Sequence, residues 1–362
     1  MYQTRFGLRR RPFRPTPDTD AFFPAATHEA ALNQLRRALD DDESLLLLTG
    51  DAGTGKTLVA RRLLERLDDS VRTVLLTNSH VTRNGDLLQA ILFDLGLPYQ
   101  GVTEQVARLA VTETCLDYFR DGGKTLIVVD EAHHLSADVL EELRLLSNLE
   151  GKDGKAIQVL LVALPEIEVT LDKPALAALC QRLTVRAHLE PLDADESVDY
   201  LRHQVLAAGG NPDRLFGDDV LDILTHAAAG VPRILNQAAH AAFVLADQAG
   251  HDHIDAEAAV EAVTRLGLDP AAEAEPLATD AEPVRLVPAL AASQPDHEQS
   301  TATATADPPR TTIPFPPVIV PIEDGPPTYV YGDELADDSE PVSPSRPGAA
   351  SHPWSGPSDR VG

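Results

Sequence analysis

Gly50 to Thr57 reads GDAGTGKT and fills every fixed position of the phosphate-loop pattern G-x-x-x-x-G-K-[ST]. Glycines at 50, 53 and 55 let the backbone curl until its N–H groups converge on phosphate oxygens. A helix opening behind the loop adds partial positive charge at the same point. Lys56 supplies a cation for the β- and γ-phosphates, and the Thr57 hydroxyl suits Mg²⁺. Further along, Asp130–Glu131 closes the apolar run Thr125–Val129. An acid at the carboxyl end of a buried strand is placed to hold Mg²⁺, directly or through water, and its neighbour to take a proton from an attacking water. The nucleotide-binding candidates are therefore Gly50, Asp51, Ala52, Gly53, Thr54, Gly55, Lys56, Thr57 and Leu58. Thr57 and Asp130 are the metal candidates, and Lys56 and Glu131 the catalytic ones. The competing reading is a bare glycine turn and two carboxylates that cap the next helix. Three glycines, the lysine and the threonine coinciding in strand–loop–helix order weigh against it.

These residues need a scaffold, and its outline is legible. Leu45–Thr49 is a short apolar run before the loop, and Leu58, Ala60, Leu63, Leu64 and Leu67 follow it at helical spacing. Further strands are expected at 71–77, 125–131, 157–163 and 183–189. Helices are expected at 28–39, 86–95 and 102–119, with Gly122–Gly123 as a break, and again after Ser136, a capping residue. Apolar strands alternating with amphipathic helices mean an α/β fold, a parallel sheet covered on both faces. From Asp193 to Leu268 the strand signals stop, and helices are expected at 195–209, 218–229, 231–249 and 254–267.

The 362 residues carry 30 basic and 57 acidic side chains, a formal charge of −27, which argues against a chain coated in nucleic acid. Two cysteines, Cys115 and Cys180, make no disulfide framework and fit core positions in a reducing cytoplasm. No apolar run approaches the ~20 residues of a membrane span, so no membrane insertion is expected. Residues 1–20 form an arginine-rich arm with Phe6 and Phe13. It reads either as a solvated arm that packs its two phenylalanines on the core or as a contact to the nucleotide base or to phosphate. From residue 269 the chain holds 18 of its 28 prolines, 16 acids, 4 arginines and no lysine. Such a composition buries too little apolar surface to offset its ordering entropy, so a disordered tail is expected, with Ile313–Val320 as a candidate docking motif. The expected domains are thus an arm (1–20), a nucleotide-binding αβα domain (21–191), a helical lid (192–268) and the tail (269–362).

Asp130–Glu131–Ala132–His133 spells the acidic box of DEAH helicases, but the chain after residue 190 has no strands for the second motor domain a helicase needs. His133 and His134 read as residues lining the pocket edge, since no Cys/His spacing supports zinc. A wider resemblance rests on six stretches in order: Phe6–Gly7–Leu8 with Pro12–Phe13, GDAGTGKT, VVDEAHHLS, EELRLLSNLE, CQRLTVRAHLEPL and GVPRILN. Over about residues 4–265 the chain resembles the AAA+ ATPases of the ExeA/GspA type, relatives of the transposition ATPases TniB and MuB. The resemblance implies a P-loop NTPase with a three-layer αβα AAA+ core and a helical lid. It also implies hydrolysis of ATP with Mg²⁺, coupled to assembly on a partner. Carried onto this sequence, it makes Arg182 an arginine finger acting on a neighbouring subunit, hence a homo-oligomer, and Arg233 a lid arginine that touches nucleotide in its own chain. The partner class stays open between an unidentified protein and DNA. Where such proteins usually read Gly-Gln-Pro-Glu after the acid pair, this chain reads Ala163–Leu164–Pro165–Glu166. The polar side chain that would orient the attacking water is absent there, which implies slow hydrolysis or a nucleotide-dependent switch.

Overall fold

Leu45–Leu48 and Ile157–Val162 offer no polar face to water, and every one of these residues is buried. The computed structural model describes residues 2–77, 81–152 and 154–269, all within one compact unit. The expected tail and the Ile313–Val320 motif lie outside the described residues, apart from Asp269.

Helix α1 (Ala26–Asp40) leads to β1 (Leu45–Gly50) and, across the glycine loop, to α2 (Lys56–Glu65). Strand β2 (Val71–Leu76) is followed by α3 (Asn84–Asp94) and α4 (Glu104–Arg120), and β3 (Lys124–Val129) by α5 (Ala137–Leu146). A short antiparallel pair, β4 (Glu150–Gly151) and β5 (Gly154–Lys155), precedes β6 (Ile157–Val162). Two short helices, α6 (Ile167–Leu171) and α7 (Ala177–Cys180), lead to β7 (Leu183–Leu189). Then come helices alone: α8 (Ala194–Ala207), α9 (Pro212–Leu215), α10 (Asp218–Ala228), α11 (Pro232–Ala249) and α12 (Ala256–Arg265).

The five long strands form one parallel sheet in the order β2–β3–β6–β1–β7. Alternate residues of each strand face opposite layers. Leu45 and Leu47 join the core beneath α3, α4 and α5, whereas Leu46 and Leu48 pack with Leu32 and Leu35 of α1 and Leu63 of α2. This is the expected α/β, three-layer αβα core. Its register sets the geometry of the site. Strand β6 lies between β1 and β3, with Val162 opposite Leu48 and Leu161 opposite Val129. The carboxyl ends of β1, β6 and β3 therefore stand side by side, and the loop, Ala163–Leu164 and the acid pair share one edge.

A second core belongs to the helices after β7. Phe243 of α11 sits at its centre, with ring centroids of Tyr2, Phe6, Phe13 and Phe216 at 5.4, 5.1, 5.6 and 5.7 Å. The two arm phenylalanines are buried, at 3% and 1% exposure, and the core they enter is that of the helical domain. Burial of each is worth roughly 1.5–3 kcal/mol. The arm's arginines bond around this seam: Arg5 with Asp247 at 2.7 Å, and Arg10 with the Ala207 carbonyl at 3.2 Å. Among the described residues no helix is long and apolar enough to cross a membrane.

Candidate functional site

Strand β1 ends at Gly50 and α2 begins at Lys56, so the loop hangs between a buried strand and a helix N-terminus. Thr54 is fully buried, and its hydroxyl donates to the Asp51 carbonyl at 2.9 Å, which pins the curl of the loop. The Lys56 ammonium donates to the carbonyls of Gly50 at 2.9 Å and Asp51 at 2.8 Å. Burial lowers its pKa; the carboxylates of Glu131 and Asp130 pull the other way, and Arg233 lowers it further. The sequence-predicted cation, acid pair and lid arginine thus share one electrostatic neighbourhood.

The Thr57 hydroxyl donates to Asp130 Oδ2 at 2.7 Å, although 73 residues separate them. The other oxygen, Asp130 Oδ1, accepts from the Glu131 amide at 3.0 Å. A hydroxyl and a carboxylate oxygen held together at a helix N-terminus are hard donors of the kind Mg²⁺ takes. Glu131 has φ 55° and ψ 36°, left-handed values that few residues other than glycine adopt. That turn lets the chain leave β3 sharply, with the Glu131 side chain half exposed.

Two further elements hold the loop. Gly53 has φ +90°, and a Cβ there would lie 2.8 Å from the Arg233 Cβ. Its carbonyl accepts from the Arg233 amide at 3.2 Å, so the first turn of α11 rests on the loop. From the opposite side His28 Nε2 donates to the Thr54 carbonyl at 2.7 Å. A carbonyl only accepts, so Nε2 carries the proton. Burial lowers the His28 pKa, against the Thr54 bond and the charge of Glu196, which raise it. Glu196 also accepts from the Ala26 amide at 2.8 Å, joining the start of α1 to α8.

Arg182 is exposed, between α7 and β7, and its guanidinium donates to the Asn148 side chain on the α5–β4 connection. The structure gives it no partner in the phosphate loop of its own chain. Ser136 caps α5 as expected, accepting from the Val139 amide at 3.4 Å.

Sequence reasoning missed the contact made by His28 and gave His133 only a place at the pocket edge. His28 falls on the same helical face as Ala31, Leu32, Leu35 and Leu39, all buried, and that spacing was the available signal. For His133 the burial was not legible: its side chain is only 3% exposed. The Leu164 amide donates to His133 Nδ1 at 3.3 Å, and Nε2 lies 3.5 Å from both Glu131 Oε2 and Glu166 Oε1.

Residues 36–171 match the AAA domain family. The chain is 35% identical to General secretion pathway protein A of Aeromonas hydrophila over 262 residues, 70% of this chain and 46% of that protein. It is 34% identical over 104 residues to the ATP-dependent target DNA activator B of Escherichia phage Mu, covering 29% of this chain and 31% of that protein. It therefore spans less than half the length of these curated relatives. Among solved structures it superposes on Aeropyrum pernix ORC1 in complex with DNA, with a TM-score of 0.56, 22% identity and coverage of 71% and 69% of the two chains. It also superposes on Cdc6p from Pyrobaculum aerophilum, with a TM-score of 0.56, 19% identity and coverage of 73% and 70%. At such identities the structural likeness speaks for the fold alone. Residues 36–171 thus match an AAA domain, the fold is that of a P-loop AAA+ protein, and the chain is similar to General secretion pathway protein A over 70% of its length.

Proposed function

We propose that the chain binds ATP with Mg²⁺ at the Gly50–Leu58 loop and hydrolyses it to drive assembly or remodelling of a protein or DNA partner. The observation that carries this reading is the 2.7 Å bond from Thr57 to Asp130. It joins the start of α2 at the phosphate loop to the acid pair at the end of β3, across the intervening strand β6, and nothing in a bare glycine turn requires it. The loop amides and Lys56 would bind the phosphates. Thr57 and Asp130 would hold Mg²⁺, which neutralises phosphate charge when bound. Glu131, one residue past Asp130, takes the proton of the attacking water. Arg233 contacts nucleotide from the lid of the same chain, and its backbone bond to Gly53 supports that role. Arg182 acts on a neighbouring subunit, which makes the working form a homo-oligomer; its exposure supports this. Two free cysteines and the absence of a spanning helix among the described residues fit a cytoplasmic protein.

One observation favours a second reading, a nucleotide-dependent switch that hydrolyses rarely. Strand β6 is followed beside the loop by Ala163–Leu164, with no polar side chain there to orient water. Steady-state phosphate release with MgATP, with and without DNA, separates the two. Hydrolysis predicts turnover that Glu131→Gln lowers by about 10²–10⁴ while ATP stays bound. ATP bound without measurable turnover in the wild type would favour the switch.

A further inference from the structure

We propose that His133 is a positioning residue for Glu131, anchored on the end of β6 and standing in for the polar side chain which that strand lacks. The inference rests on the reading of Glu131 as the proton acceptor. The sheet order brings the anchor into place: β6 lies between the loop strand and the acid strand, and Leu164 follows its last residues. The Leu164 amide is a donor and nothing else, so His133 Nδ1, 3.3 Å away, must accept. That fixes the tautomer. The ring proton sits on Nε2, the atom 3.5 Å from Glu131 Oε2 and 3.5 Å from Glu166 Oε1.

An N–H whose nitrogen lies 3.5 Å from each of two carboxylates attracts both. At 3.5 Å neither contact is a short hydrogen bond, and catalytic contacts of this kind tighten when substrate is in place. With its side chain 3% exposed, the ring has little freedom to turn away. Burial lowers its pKa, and His134 lowers it further, against the pull of Glu131 and Glu166, so the ring acts as a neutral dipole rather than as a second cation beside Lys56. The same tautomer bears on a second possibility, because Glu131, His133 and His134 lie close enough together to suggest a metal cluster. With Nδ1 accepting from Leu164 and Nε2 protonated, His133 has no lone pair left for a cation. Its chemistry is that of a donor to carboxylates.

The test compares His133→Leu, which keeps bulk and loses both nitrogens, with His133→Gln, which keeps an acceptor for Leu164 and a donor for Glu131. For each full-length protein, kcat and KM for MgATP, ATP affinity by calorimetry and the melting temperature are measured. His133→Leu should lower kcat by about 10²-fold, the scale of a misplaced reacting group, with ATP affinity unchanged. His133→Gln should recover most of that loss. Should His133→Leu not fold, His133→Ala takes its place with the same expected split. A kcat equal to wild type in His133→Leu overturns the proposal. So does a His133→Gln enzyme as slow as His133→Leu, or a loss shared equally between kcat and ATP affinity. A wild-type protein without turnover would instead overturn the hydrolytic function itself, and the proposal with it.

Discussion

The Arg233 amide donates to the Gly53 carbonyl at 3.2 Å, so the helical domain and the phosphate loop meet through main chain, whatever the Arg233 side chain does. Val231 closes the same contact, its Cγ1 3.1 Å from where a Gly53 Cβ would be. A change of loop shape on binding phosphate is thereby felt at the start of α11, and a movement of α11 at the loop.

Gly53→Ala tests that coupling. The new methyl would meet the Arg233 Cβ at 2.8 Å, at φ +90°, so the substitution strains the backbone and pushes α11 away. Left-handed strain at a residue other than glycine costs about 1–3 kcal/mol. ATP affinity should fall, and amide hydrogen exchange should rise at the first turn of α11. Unchanged exchange at α11 alongside weakened binding would mean that loop and lid move independently.

His28 makes a pH prediction. Burial holds its pKa below the ordinary value, so the folded state favours the neutral ring. Between the ordinary pKa of about 6.5 and the lowered folded value, the unfolded chain binds the extra proton, and stability falls as pH falls. Above about 6.5 both states are neutral at this site and the effect vanishes. His133, His203 and His240 are lowered by burial in the same sense. The melting temperature should therefore drop on acidification through the range just below about 6.5, before carboxylates titrate. His28→Gln, which keeps a donor for the Thr54 carbonyl, should flatten that slope. An identical slope in wild type and variant would show that His28 does not contribute.

Arg182 carries the oligomer prediction. Its planar, permanent charge suits a phosphoryl group in transfer, and such an arginine is worth roughly 10³–10⁵ in rate elsewhere. Arg182→Ala should lose turnover and keep ATP binding, and wild-type activity per subunit should rise with protein concentration. Mixing Arg182→Ala with Lys56→Ala should restore part of the activity at mixed interfaces. A mixture that stays inactive while both variants assemble assigns Arg182 to the Asn148 contact alone.

Much of this was written in the chain. Strand β1, the loop and α2 follow from an apolar run, three glycines and a helical leucine spacing, all local signals. The acid pair was legible because wholly apolar strands end abruptly in charge. The lid helices were legible because Gly210, Gly230 and Gly250 punctuate them. What sequence could not give were contacts made by strand order. His133 and Leu164 are 31 residues apart and meet only because β6 neighbours β3. The arm's Phe6 and Phe13 pointed to burial, but their partner Phe243 is contributed by α11, far along the chain. The short β4–β5 pair carries no pattern at all in two residues per strand.

The central claim is that this loop holds the phosphates of ATP, with Lys56 as the buried cation of the cradle. Calorimetric titration of the full chain with MgATP, for wild type and Lys56→Ala, measures it most directly. The account predicts saturable binding by the wild type and loss of tight binding in Lys56→Ala, with the melting temperature without nucleotide little changed. Equal ATP affinity in the two proteins would contradict it and remove the loop from the site.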